Sequence, residues 1–282
     1  MRLSVLSVPL VLLVACDAER DIALTFDARV GDVPAACGTP LTGLGTGSTS
    51  GELADARFFA SSVQLHRTGG DWVDLALADS DWQGDGIVLL DFEDGTAGCA
   101  DSGTSETNAM IEGLAPGGDY DGLRFDVGVP FALNHVDAAT APTPRNAPGM
   151  FWVWQGGYKF LRVDLIVDGG EVPRWNMHIG STGCASAAPT EAPTDACERP
   201  NLATVELLDL DLTGVDTIDL DLGALVAAAD VAADTPDSPP GCMSSPTEPS
   251  ECGPVFGALG LDFADGTCVD GCAAQAVFRA GE

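Results

Sequence analysis

Two segments alternate apolar and polar residues with a period of two, Leu123-Arg124-Phe125-Asp126-Val127-Gly128-Val129 and Leu161-Arg162-Val163-Asp164-Leu165. Successive side chains of a strand point to opposite faces, so the pattern predicts strands with one buried and one polar face. Further strands are expected over 22–29, 57–66, 86–92, 174–179, 204–212 and 217–222, with Gly, Asp and Pro clusters between them. Many short strands joined by turns predict an all-β fold, an antiparallel β-sandwich with long disulfide-tied loops. An Ala-rich stretch at 222–233 predicts a short helix, while 38–51, 185–194 and the Pro/Ser-rich 234–250 read as surface loops. No break in composition separates two cores and no internal repeat is visible, so a single domain over 16–282 is expected.

The first 15 residues change this picture only at the N-terminus. Arg2 followed by an apolar run through Ala15 reads as a signal peptide, too short for a permanent membrane helix, which needs about 20 apolar residues. Leu13-Val14-Ala15-Cys16 resembles a bacterial lipoprotein box, which makes Cys16 the lipidation site and the only membrane attachment. The expected location is periplasmic, or at the cell surface as a lipoprotein. Eight further cysteines, Cys37, Cys99, Cys184, Cys197, Cys242, Cys252, Cys268 and Cys272, imply a disulfide framework in an exported chain. They permit roughly a hundred connectivities. One of these joins Cys184 to Cys197, Cys242 to Cys252, Cys268 to Cys272 and Cys37 to Cys99, and each short loop so closed would contribute about 3 kcal/mol in the chain-entropy model. A thiolate metal cluster is the weaker reading, because no Cys-x-x-Cys pair occurs and an oxidising compartment competes for the thiols.

Charge removes whole classes of partner. Twelve Lys and Arg oppose 43 Asp and Glu, a formal charge of −31, so phosphate backbones and anionic lipid surfaces are repelled and nucleic-acid binding is excluded. No Gly-x-Ser-x-Gly, His-Glu-x-x-His or phosphate-cradling loop is present, which weakens the case for an enzyme. The acidic stretch 79–86 fails the EF-hand spacing and reads as a solvated turn.

Histidine is scarce, with only His66, His135 and His178 in the chain. His66 reads as a solvated strand-end residue. His135 sits beside Asn134 and Asp137, which could orient an imidazole, and His178 lies on an expected strand that runs into a small-residue turn. For both, a core histidine and a metal ligand stand at even odds. The densest aromatic run, Met150-Phe151-Trp152-Val153-Trp154-Gln155-Gly156-Gly157-Tyr158-Lys159-Phe160, is expected to place Trp152 and Trp154 on one sheet face and Val153 on the other. Indole offers one N–H donor and no lone pair suited to a metal, so an unmodified tryptophan is a poor ligand. Met150 and Met177 could add a thioether, although core packing explains both more simply.

Taken in order, Phe26 through Cys37-Gly38, Leu89 with Asp91-Phe92-Glu93-Asp94-Gly95, Gly122 to Phe125, Gly128 to Phe131 with Asn134-His135, the Met150–Phe160 block and His178 to Cys184 resemble the MbnP-like proteins, also called the metallo-mystery pair four-Cys family. The resemblance runs from about residue 22 to 279. It implies an exported, non-enzymatic copper-binding protein, encoded beside a MauG-like dihaem c-type cytochrome that oxidises the first tryptophan of Trp-x-Trp to kynurenine. Carried onto this chain, the modified residue is Trp152 and the histidine ligands are His135 and His178, holding copper as Cu(I), with a role in copper homeostasis. Trp154 would pack over the site or relay an electron hole. Two rivals remain at this point: a copper-dependent redox enzyme, and a surface adhesion or carbohydrate-binding module using Trp152, Trp154 and Trp175 as a platform.

Overall fold

The computed structural model describes residues 18–101, 103–212 and 217–281. The expected signal peptide and the expected lipidation site Cys16 lie outside them. Two sheets form the frame, one of six strands and one of ten, with the strand Arg20–Val30 central to the first and the long Thr49–Arg67 central to the second. The long strand pairs with Leu161–Val167 along its first half and with Tyr120–Val127 along its second. Trp175–Ile179 extends the sheet beyond Leu161–Val167. Between the sheets, Phe26 and Phe278 from the first meet Phe58 and Phe125 from the second, with ring centroids 5.2–5.8 Å apart along the contacts Phe58–Phe278, Phe125–Phe278 and Phe26–Phe58. These edge-on aromatic contacts mark the centre of one continuous apolar core that runs from Ile22 to Phe278.

The all-β sandwich and the alternating strands are as the sequence predicts. The pairing is not wholly antiparallel, however: Arg20–Val30 runs parallel to Thr217–Asp221, and Trp175–Ile179 runs parallel to Gly241–Cys242. Each of these pairs joins segments far apart in the chain, and a parallel neighbour requires such a long crossover. All four disulfides link Cys37–Cys99, Cys184–Cys197, Cys242–Cys252 and Cys268–Cys272.

Two loop expectations fail and the expected helix is shorter than its composition suggests. Pro40–Leu44 is a strand that buries Leu41 and Leu44, so 38–51 is not a free loop. The 234–250 segment contributes Gly241–Cys242 to the second sheet and leads into the helix Pro249–Ala258, because the Cys242–Cys252 bridge draws both inward. The helix expected over 222–233 is present but shorter, Leu222–Val226, and Asp221 caps its N-terminus by accepting from Ala224 N–H at 3.0 Å. The strand Met110–Ala115 escapes the pattern because Gly113 reads as a breaker; a Cβ there would lie 2.5 Å from Ala76 O, so the close strand approach needs glycine.

The second sheet carries an unusual outer face. Opposite the apolar core, Arg57, Arg162 and His178 stand in one cross-strand row, with Asp55 and Asp164 in the next. Asp91 is opposite Arg57 on the other side. All of these except Arg162 are buried, because the segment 128–160 lies over the face and packs Val129, Met150, Tyr158 and Phe160 against Phe59, Ile87 and Leu89. The charges pair internally: Arg57 with Asp55, Arg162 with Asp164 at 2.7 Å and with Asp55 at 3.0 Å. Burial pushes the Asp91 carboxyl up to about 7, with Arg57 opposing the rise and Glu93 adding to it.

A carboxyl whose folded-state pKa lies above its ordinary 3.8 favours the folded state below that value, and the contribution is lost as pH rises toward about 7. Asp91→Asn removes the charge that appears across this window. Urea unfolding followed against pH should therefore show a flatter profile for the variant, which gains on the order of 2–4 kcal/mol over the parent chain above the upper pKa and little at acid pH.

Candidate functional site

The expected copper-site residues sit on two elements, His135 and Trp152 on the covering segment 128–160 and His178 on the strand Trp175–Ile179 of the second sheet. The Trp152 block is not a strand. Phe151 and Tyr158 form an isolated bridge, and between them the chain turns back, with Trp152 N–H donating to Gly157 O at 3.1 Å and Gly157 N–H to Val153 O at 2.7 Å. Gln155-Gly156-Gly157 forces this reversal: Gly157 has φ +73°, and a Cβ there would meet Asn134 Oδ1 at 2.4 Å. Trp152 and Trp154 consequently do not share a sheet face. Trp152 is half-buried over Gly180, where a Cβ would lie 2.7 Å from its Cζ3, while Trp154 rides on the turn with 38% of its surface exposed.

His178 projects from Trp175–Ile179 on the same face as Gly180, two residues before the glycine that receives the Trp152 ring. Its Nε2 lies 2.7 Å from Asp164 Oδ1, and the other Asp164 oxygen accepts from Arg162. A carboxylate only accepts, so Nε2 carries the proton and Nδ1 keeps its lone pair. Burial lowers the His178 pKa, against the opposite pull of Asp164. Asp164 itself is held below the usual carboxylate range: burial opposes this, and His178 with Arg162 outweighs burial.

His135 follows the single-turn helix Phe131–Asn134 and is also buried. Its Nδ1 donates to Trp154 O at 3.0 Å, which leaves Nε2 as the lone-pair nitrogen, 3.3 Å from Asn134 Nδ2 and 3.5 Å from Cys197 Sγ. Burial lowers its pKa as well. Both imidazoles are therefore neutral, each anchored at one nitrogen by an oxygen acceptor, which is the arrangement metal-binding histidines use.

Asn134 connects the two halves. Its Oδ1 accepts from Tyr158 N–H at 2.7 Å, and its Nδ2 donates to Ser181 Oγ at 2.8 Å. Ser181 follows Gly180 and borders two openings, a cleft of about 360 Å³ lined by Trp152, Gly156, Cys184 and Met243, and a small apolar cavity beside Cys197 and Phe160. Ser244, fully buried, fixes the other side of this strand end by donating to His178 O at 3.0 Å and accepting from Gly180 N–H at 3.1 Å. Asp164, Ser181 and Ser244 escape a sequence reading. Only Asp164 left a signal, as a polar position on an alternating strand.

The remaining expectations divide clearly. His66 lies at a strand end as expected but is half-buried rather than solvated, with Nδ1 2.6 Å from Asp121 and its ring beside Trp72. Met177 points into the main core beside Trp175 and Ile179, on the face opposite His178, so it cannot join His178 around one ion. Met150 is fully buried among Phe59, Tyr158 and Phe160 and serves packing. Trp175 is fully buried in the main core, which removes the three-tryptophan sugar platform. Among the described residues the acidic stretch 79–86 forms no metal-holding cluster. Asp85 there pairs with Arg145.

The MbnP family model matches residues 19–244. No curated protein sequence matches the chain. Among solved structures, MbnP from Methylosinus trichosporium aligns with a TM-score of 0.82 at 30% sequence identity, over 94% of this chain and 99% of that one. With most of the sequence matched by the family model and nearly the whole length aligned in structure, the chain belongs to the MbnP family.

Proposed function

We propose that this chain is an exported copper-binding protein, not itself an enzyme, that holds Cu(I) through His135, His178 and a kynurenine made from Trp152 by a MauG-like dihaem c-type cytochrome. Its place would be the periplasm or the cell surface, anchored through a lipid on Cys16, and its role copper homeostasis. The observation that supports this reading is a pair of buried imidazoles, each with one nitrogen tied to oxygen, linked through Asn134, whose amide bonds Ser181 beyond the His178 strand and Tyr158 N–H of the Trp152 hairpin.

The donor chemistry fits a reduced ion. Two neutral nitrogens and a weak third donor suit low-coordinate Cu(I), whereas Cu(II) favours four or more donors in a tetragonal plane. Conversion of an indole to kynurenine opens the five-membered ring between C2 and C3, and the C2 carbon leaves as formate after hydrolysis. An aryl amine and a ketone remain where a donor-poor side chain stood. Cleavage to N-formylkynurenine inserts two oxygen atoms, a four-electron oxidation that two equivalents of peroxide at the haem partner would supply, each leaving as water, since this chain holds no Cys-x-x-Cys-His haem attachment. The half-buried position of Trp152, beside an open cleft, leaves the ring within reach of that partner. A charge of −31 would steer a basic docking face, with association weakening as salt screens it.

Copper titration of chain coexpressed with the haem enzyme tests the ligand set. His135→Ala and His178→Ala should each weaken Cu(I) binding by about 10- to 100-fold or more, while His66→Ala leaves it unchanged. Equal copper retention in all three variants overturns the assignment.

Trp152→Phe keeps an aromatic ring over Gly180 and should fold with an unchanged far-UV spectrum, yet bind no copper tightly. Intact-mass spectrometry of the parent chain after coexpression should show the gain of one oxygen and the loss of one carbon, mapped to the peptide containing Trp152 and missing from the variant.

A further inference from the structure

We infer that the Cys184–Cys197 disulfide conceals a second metal site, in which a dithiol reductant frees two thiolates that join His135 Nε2 around a thiophilic d10 ion such as Cu(I) or Zn(II). The three atoms, His135 Nε2, Cys184 Sγ and Cys197 Sγ, lie within 4.8 Å of one another. While the bridge is closed, both sulfurs are disulfide sulfurs and poor ligands, and the imidazole lone pair faces Cys197 at 3.5 Å without a bond to make there.

Two features make the site workable once opened. First, the sulfurs stay together without the covalent bond. Thr182 and Arg199, just outside the loop that the cysteines close, exchange both backbone hydrogen bonds at 2.9 and 3.0 Å, and Glu198 N–H donates to Gly183 O at 3.2 Å. This ladder holds the two Cα atoms, 4.1 Å apart in the bridged form, near ligating distance. Second, Cys184 lines the open cleft beside Trp152, so a reductant reaches one sulfur directly, and the loop between the cysteines contains no strand or helix that reduction would unravel. By contrast, Cys242 and Cys252 are both fully buried.

The step balances as ordinary thiol–disulfide exchange. A thiolate of the dithiol attacks Cys184 Sγ, Cys197 leaves as thiolate, and the second thiol of the reductant resolves the mixed disulfide. Two electrons pass to the bridge, the reductant becomes a disulfide, and the cysteine protons leave when the metal binds. His135 already presents the unprotonated nitrogen, because Nδ1–H is committed to Trp154 O.

The test uses full-length chain produced without the haem enzyme, so that it does not depend on kynurenine. Graded dithiothreitol is added, removed anaerobically, and followed by alkylation mapping, near-UV circular dichroism and Cd(II) titration. Expected are alkylation of Cys184 and Cys197 with the fold intact and one Cd(II) per chain with a thiolate-to-metal charge-transfer band. The double variant Cys184→Ser/Cys197→Ser should lack that band, His135→Ala should weaken Cd(II) by about tenfold or more, and His178→Ala should leave it unchanged. Loss of fold before the two thiols appear, a band that survives in the double variant, no band in the reduced chain, or an undiminished affinity in His135→Ala would each overturn the proposal. Since the copper reading requires His178 and this one does not, the two fail separately.

Discussion

The Asn134 side chain is the contact on which the arrangement of the site depends. It is buried at 1% exposure, takes one hydrogen bond from the Trp hairpin through Tyr158 N–H and gives one to Ser181 at the end of the His178 strand. It also precedes His135 in the chain. A single amide therefore ties together three segments with no sequence proximity. An apolar residue in its place would leave Tyr158 N–H without this acceptor inside the protein, at a cost of about 1–3 kcal/mol, and would loosen the registration of the two histidines.

The outer face of the second sheet explains why His178 can be both buried and fixed. A buried cation or carboxylate alone is costly, but here Asp55 and Asp164 are each shared between basic partners, and the covering segment supplies carbonyls as well. Lys159 Nζ and Arg162 both donate to Gly149 O, at 2.8 and 3.3 Å, which pins the 148–150 turn to the sheet. The Lys159 ammonium is pushed down to about 8 by burial, with Arg162 adding to the effect. Electrostatics thus holds the covering segment down on one side while Tyr158, Phe160 and Met150 hold it by apolar contact on the other.

Much of this frame was legible in the sequence, because alternation writes the two faces of a half-buried strand directly into residue order. Leu161, Val163 and Leu165 face the core while Arg162 and Asp164 face outward, as read. Of the many pairings that eight cysteines allow, the one singled out, each cysteine joined to its neighbour along the chain, is the one that forms. The Trp152 block was misread for a physical reason: its alternation is that of a strand, but Gly156 and Gly157 permit a reversal that period counting does not see. Ser244 and Ser181 act through backbone groups and hydrogen bonds made across more than 40 positions, and no local pattern marks them.

His135 Nε2 is a single lone pair with two prospective uses, one toward the indole neighbourhood and one toward the Cys184–Cys197 sulfurs. An imidazole nitrogen coordinates one ion at a time, so the two sites are mutually exclusive rather than additive. Under the two proposals the choice would follow the state of two other groups, the bridge and the side chain at position 152, each altered by a redox step. Thiolates bind soft ions more strongly than an aryl amine does, so a reduced bridge would draw the ion from the shared cleft toward Cys184 and Cys197.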